Sequence, residues 1–320
     1  MAASPLSGTT TSYTTGARDT QREELLDVIN NIDKERNVFT DAIKKGSCVS
    51  KYVEWPEDED DDAVDNAQVE GADAEFTELD MPSKNSNRLQ IAAKWFLVSD
   101  IQESIDKAGR KSDIAYNIKK KLRAIARDRE RTLLNSLTAV AMSSGTAGRA
   151  KGLKGFVTTN TYKFGSSYAT TNLITFDILN DQLEAAAEDY GEPSLILAPS
   201  KQKRIISEFD QNNRITVNAD ASEKKVLAAV DFIETDFGVQ RVKLCYNLTQ
   251  DTDSGSLYDF LPIVDPDGWE LCTLKGHGVK VEKLARTGLA RKVQISTAFT
   301  LKCMNEKRNA LISYLYAKAA

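Results

Sequence analysis

A single histidine, His277, stands between Gly276 and Gly278. Any acid–base or nucleophilic scheme built on imidazole must run through it, yet glycine on both sides is equally what a tight turn between two strands requires. The turn is the expected reading. No Gly-x-Ser-x-Gly elbow supplies a nucleophile and no His-Glu-x-x-His pair offers a zinc seat, so hydrolytic chemistry has no visible apparatus. Cys48, Cys245, Cys272 and Cys303 lie far apart without paired spacing, which argues against a zinc site or disulfide scaffold and for reduced thiols. Asp58, Asp60 and Asp62 alternate like the opening of a calcium loop, but Ala63 occupies the position that needs glycine and Val69 the position that needs glutamate. Gly145, Gly148, Gly152 and Gly155 interleave with Arg149, Lys151 and Lys154 in the manner of a phosphate cradle. No Gly-Lys-Ser/Thr follows them and no strand precedes them, so a mobile basic loop is expected instead. Asp236-Phe237-Gly238 spells a kinase tripeptide without the glycine-rich or catalytic loops that give it meaning. Asn247-Leu248-Thr249 is a glycosylation acceptor only in a secreted chain. The expectation is a protein that is not an enzyme and uses neither cofactor nor metal.

The strongest signal is electrostatic. Residues 56–83 hold twelve Asp and Glu and no Lys or Arg, while residues 107–131 hold ten Lys and Arg against three acids. Charges this dense repel one another and stay solvated until a partner neutralises them. In a chain whose net charge is only −5, such segregation marks interaction surfaces: an acidic arm that reaches onto a neighbouring copy, and a basic helix that receives one. The expected inter-subunit contacts are Asp58, Asp60, Asp61 and Asp62 on the arm and Lys119, Lys120, Lys121, Arg123 and Arg127 on the helix. A pI near 5.3 argues against a general nucleic-acid binder, although the basic helix can face one locally.

These surfaces need elements to carry them. The 320 residues exceed a comfortable single core, so two lobes or one core with extensions are expected. No apolar run approaches the ~20 residues that cross a bilayer. Residues 1–16 are rich in Ser, Thr and Gly without an apolar centre and read as a flexible arm rather than a signal or anchor. Leu25, Leu26, Val28, Ile29 and Ile32 predict a short helix between Asp19 and Asn37. Ser50–Trp55 and Arg88–Ser99 have strand character around the acidic stretch, which gives an extended hairpin. A two-stranded ribbon is marginal alone, so it must rest on something outside its own fold.

From Ser112, Ile114, Ile118, Leu122, Ile125, Leu133, Leu137 and Val140 form one apolar stripe along the basic helix, with Arg129 occupying one turn. About 27 residues at 1.5 Å rise make a rod of roughly 40 Å. Helices are expected at Thr175–Tyr190, stopped by Gly191, and at Ser200–Phe209, with a buried strand at Leu195–Ala198 between them. Strands follow at Val226–Thr235 and Val242–Leu248. The clearest is Val293–Cys303, where apolar and polar residues alternate.

This order of elements resembles the tailed-bacteriophage major capsid protein of the Hong Kong 97 fold. Tyr52-Val53-Glu54-Trp55 before the loop, Val69-Glu70-Gly71-Ala72-Asp73-Ala74 on its return, and Asp106 through Tyr116 opening the long helix are similar to one subfamily of those proteins, the Sulfitobacter-phage type of major head protein. The resemblance implies an α+β fold with an N-terminal arm (1–49), an extended β-hairpin loop (50–99), a peripheral domain with a spine helix (100–174), an α/β axial domain (175–266), and strands returning to the peripheral domain (267–320). It implies a non-catalytic role: pentamers and hexamers of this chain close an icosahedral shell around double-stranded DNA, in a virion capsid assembled in the host cytoplasm. The implied partners are further copies of the chain, a portal protein and packaged DNA held by non-specific contacts, and no membrane; a separate scaffolding protein and decoration proteins are left open. Some relatives cross-link a loop lysine to an asparagine of another subunit, but residues 56–83 contain no lysine, so non-covalent locking is expected. An encapsulin-like nanocompartment shell shares the fold and is the alternative.

Overall fold

The computed structural model describes residues 37–58, 64–71, 73, 81–105, 112–165, 171–209, 231–249, 251–253, 256–286 and 288–317. The chain enters through α1 (Val38–Ala42) and β1 (Lys44–Cys48), passes into a two-stranded ribbon, β2 (Tyr52–Glu57) and β3 (Ser83–Arg88), and runs on as β4 (Gln90–Ser99). A short α2 (Asp100–Ser104) precedes the long helix α3 (Asp113–Asn135), followed by α4 (Leu153–Phe156) and β5 (Thr161–Lys163). Next come α5 (Phe176–Glu188), β6 (Leu195–Ala198), α6 (Ser200–Glu208), β7 (Phe232–Thr235), β8 (Gly238–Leu244), β9 (Asp251–Asp253) and β10 (Ser256–Val264). The last strands are β11 (Trp269–Leu274), β12 (Lys280–Leu284), β13 (Ala290–Cys303) and β14 (Ala310–Tyr316).

Two mixed sheets organise these elements. In the first, β13 pairs on one side with β4 along its length and on the other with β11 and β12, while β1 adds parallel to β11. The second runs β5-β14-β10-β6-β8-β7, with β9 on β10. One apolar cluster joins the first sheet to α1, α3 and α4, and its centre is aromatic: Trp269 meets Phe39 at 5.8 Å and Phe156 at 6.0 Å between ring centroids, both edge-on. Leu195, Leu197, Phe260, Val264 and Leu311 of the second sheet belong to that same cluster, so the two sheets share a core. A second cluster packs Leu179 and Leu183 of α5 against Ile196, Ile263, Ile312 and Leu315.

The local predictions for α5, β6 and α6 hold, because amphipathic period and caps lie in neighbouring residues: Thr175 Oγ1, for example, accepts from the Ile178 amide at the start of α5. β13 is a strand as expected, but its one buried and one wet face gives way to burial on both faces from Thr297 to Leu301. Other expectations need correction. The second hairpin strand is β3, while most of Arg88–Ser99 is β4, bonded to β13 rather than to the ribbon. The long helix is 23 residues, roughly 35 Å at 1.5 Å per residue, and ends at Asn135. Its stripe is buried at Ile125 and Leu133, joined by Leu134 and Glu130, whereas Leu137 lies beyond the helix and is exposed and Val140 bridges to Arg149.

The glycine-rich segment is no loose basic loop. Ala150, Leu153 and Phe156 are buried, and a Cβ on Gly152 would lie 2.6 Å from the carbonyl oxygens of Thr132 and Leu133. β14 joins the second sheet instead of returning to the first, as does β5, so the implied boundaries at 174 and 267 do not follow sheet membership. After α5, Gly191 N donates to Ala186 O and a Cβ on Gly191 would lie 2.8 Å from Arg308 Cα, while the left-handed residue is Tyr190, at φ 59°. β8 ends at Leu244, four residues short of the expected Leu248. The expected helix before Asn37, and the first half of Val226–Thr235, fall outside the described residues.

Candidate assembly surfaces

Among the described residues the arm is anchored at its base. Strand alternation turns Val53 and Trp55 inward from β2. The Trp55 indole N–H donates to Cys303 O at 2.7 Å, and its ring lies 6.1 Å from that of Phe156. Opposite, the buried Asn87 donates through Nδ2 to Lys151 O (2.9 Å) and Leu301 O (2.7 Å), while its Oδ1 accepts from Lys151 N at 2.8 Å. The Arg88 guanidinium covers the Tyr52 ring at 4.1 Å, and Thr300 Oγ1 donates to Arg88 O. The base of the ribbon is thereby fixed to β13 and to the segment before α4. Beyond Glu57 the described residues add no such anchor. Asp58 is exposed, and Val64, Val69 and Met81 are 78%, 80% and 92% exposed. Asp60, Asp61 and Asp62 lie outside the described residues.

The basic helix is locked at both ends. Ser112 caps α3 by accepting from Ala115 N, and its own hydroxyl donates to Glu103 Oε1 at 2.6 Å. Glu103 Oε2 accepts from the Asp113 and Ile114 amides, placing a carboxylate at the positive end of the helix dipole. At the other end Asn135 donates to Asn247 O and accepts from Thr249 N. Between them Lys119, Lys120 and Arg123 are exposed, and Lys121 and Arg127 are half-buried. Asp58 makes no hydrogen bond or ion pair with any of the five among the described residues. Lys94 Nζ instead pairs with Asp128 on the same helix at 2.6 Å.

Three polar residues that carry this architecture were not singled out from the sequence. Glu130, fully buried on α3, accepts from the Phe39 amide (2.7 Å), the Thr40 amide (2.8 Å) and the Thr40 hydroxyl, so a carboxylate of the spine caps the first helix of the chain. Burial pushes its pKa above the ordinary carboxylate range, against the lowering effect of those donors. An acid three and four residues before Leu133 and Leu134, on an apolar face, is the signal that could have found it. Asn309 links the sheets: its buried Oδ1 accepts from Asp265 N at 3.0 Å and from the Trp269 indole at 2.8 Å. Asn87 and Asn309 carry no sequence signature, since both sit in polar runs that read as surface.

The residues weighed for chemistry lie in turns or are buried in the core. His277 lies in the connection from β11 to β12, its N–H donating to Leu274 O, beside Gly276 at φ +79°. Asp236 and Phe237 form the β7–β8 turn, with Gly238 at φ +112°. The four cysteines are buried free thiols; burial pushes Cys245 up to about 11 and Cys272 to about 12, and raises Cys303 as well. Among the described residues no group of three or more His, Cys, Asp or Glu is placed to hold a metal ion, and no helix is long and apolar enough to cross a membrane.

A sequence profile described as SU10 major capsid protein matches residues 6–316. No curated protein matches the chain by sequence. Solved structures similar in fold include the capsid of a native GTA particle (12% identity, TM-score 0.65, 96% of this chain and 99% of that one). Gordonia phage Cozz is similar at 12% identity and TM-score 0.62, with 98% of each chain covered. A holo-encapsulin complex from Synechococcus elongatus is similar at 10% identity and TM-score 0.59, over 96% of this chain and 98% of that one.

Proposed function

The chain belongs to the SU10 major capsid protein family, and from that premise we infer that its copies close, as pentamers and hexamers, into an icosahedral shell around double-stranded DNA. The observation that carries the reading is the profile match over residues 6–316. The anchored ribbon supports it. A projection with an exposed apolar and acidic tip does not satisfy itself within one chain, and a point-group assembly that repeats one contact many times suits it. The role is structural and calls for no catalysis. Assembly takes place in the host cytoplasm; a portal protein and the packaged DNA, touched without sequence preference, complete the partners.

In this reading the acidic arm seats on the basic face of α3 of an adjacent copy, with Asp58, Asp60, Asp61 and Asp62 against Lys119, Lys120, Lys121, Arg123 and Arg127. An exposed ion pair contributes only about 0–1 kcal/mol, so the contact works through many pairs repeated over the shell. Light scattering behind size-exclusion chromatography, with negative-stain microscopy of the peak, is the test. Closed particles are expected. A stable 35.3 kDa monomer at high micromolar concentration in every salt, alone and with any scaffolding protein supplied, would overturn the reading. An encapsulin-like shell is favoured only by fold likeness, and particles filled with protein rather than DNA would identify it.

A further inference from the structure

We propose that the cleft at the C-terminal end of α3 is a phosphate-binding site, and that its ligand is the sugar–phosphate backbone of the enclosed nucleic acid; this rests on the shell reading above. The cleft, of about 410 Å³, is lined by Gln90, Arg131, Thr132, Asn135, Ser136, Arg149 and Thr249. Two guanidiniums and, among the described residues, no carboxylate line it. Both arginines are exposed, and among the described residues neither has an ion-pair partner; Asp128, one turn earlier on α3, is taken up by Lys94. Two like charges opening on one cleft repel unless an anion lies between them, and the guanidinium fork matches phosphate oxygens with paired donors.

The cleft is held in shape by groups already bonded elsewhere. Gln90 donates to Thr132 Oγ1 and accepts from Ala150 N, tying β4 to α3 and to the residue after Arg149. Arg149 is fixed by two backbone bonds with Val140, and Asn135 fixes the wall at Thr249. The arginines thus come from two different elements with their backbones set before any ligand arrives, and the hydroxyls of Ser136 and Thr249 add neutral donors.

Phosphate is favoured over a protein carboxylate on charge. One carboxylate neutralises one guanidinium, whereas a duplex carries a charge per about 1.7 Å of its axis and places several phosphates across the cleft at once. Neither arginine belongs to the seat assigned to the acidic arm, so the two surfaces are separable by mutation.

The test uses the full-length protein held below its assembly concentration, with a short labelled duplex titrated by fluorescence anisotropy across a salt series. In Arg131→Gln/Arg149→Gln the slope of log affinity against log salt should shrink by about two, roughly 0.9 for each phosphate that is no longer neutralised. Lys280→Gln/Lys283→Gln on β12, with the same change in charge, should leave it unaltered. Inorganic phosphate should raise the melting temperature of the wild type above that in chloride of matched ionic strength, and not that of the arginine variant. An unchanged slope, or an equal loss in the lysine control, overturns the proposal. Phosphate protection without loss of duplex affinity overturns the nucleic-acid assignment, as does a larger loss of polyglutamate binding than of duplex binding. Negative-stain microscopy reports separately: shells with an unchanged slope sink the cleft alone, and a wild type that never assembles sinks the reading beneath it.

Discussion

At the scale of single residues, Glu130 shows how one buried carboxylate ties two distant segments. It is the cap of α1, so truncation to alanine leaves the Phe39 and Thr40 amides without their acceptor and should cost about 2–4 kcal/mol in urea unfolding. Glu130→Gln keeps an acceptor and should cost less. The two differ in pH dependence. Because burial raises the carboxyl above its ordinary range, the folded protein binds this proton more tightly than the unfolded chain. That contribution is fully present below the ordinary carboxylate pKa and is lost as pH rises through the raised value. Wild type should therefore lose stability relative to Glu130→Gln across that window. A difference between them that is flat with pH would show that the carboxylate is not held above its usual range.

At the scale of elements, the end of the spine is set by a helix-to-loop packing that leaves no room for a side chain. α3 stops at Asn135, where Ser136 turns extended and its carbonyl accepts from Gly152 N. A methyl at Gly152 meets two backbone carbonyls at 2.6 Å, and neither can swing aside. Gly152→Ala should cost about 1–3 kcal/mol through overpacking, seen as a lower denaturation midpoint at unchanged slope. Gly145 has open space around it and only its φ of +84° to lose, so Gly145→Ala should cost about 1 kcal/mol. A larger loss at Gly145 than at Gly152 would contradict this account of how the helix ends.

At the scale of the whole molecule, the shell reading predicts how copies hold together. Replacing Asp58, Asp60, Asp61 and Asp62 with Asn should lower the melting temperature of assembled particles at low salt, and the difference should fade once the Debye length falls to roughly 10 Å at 0.1 M and below. Mutant particles that melt like wild type at low salt would remove the arm from the basic face. No lysine lies between Pro56 and Ser83, so subunits should separate as single 35.3 kDa bands in boiling detergent. A covalent ladder under reducing conditions would place an asparagine within reach of a lysine elsewhere.

The sequence by itself determined what is local: the charge segregation between residues 56–83 and 107–131, the period of α5 and α6, the alternation of β13, and the glycine turn at His277. Only the tertiary structure decided which strand pairs with which, why β13 is buried on both faces from Thr297 to Leu301, and which polar residues are structural. The reason is distance along the chain. Glu130 meets Phe39 across 91 residues, Asn87 meets Leu301 across 214, and Trp55 meets Cys303 across 248. No window of neighbouring residues records such a partner, and a buried asparagine or glutamate reads as surface until the group that satisfies it is brought to its side.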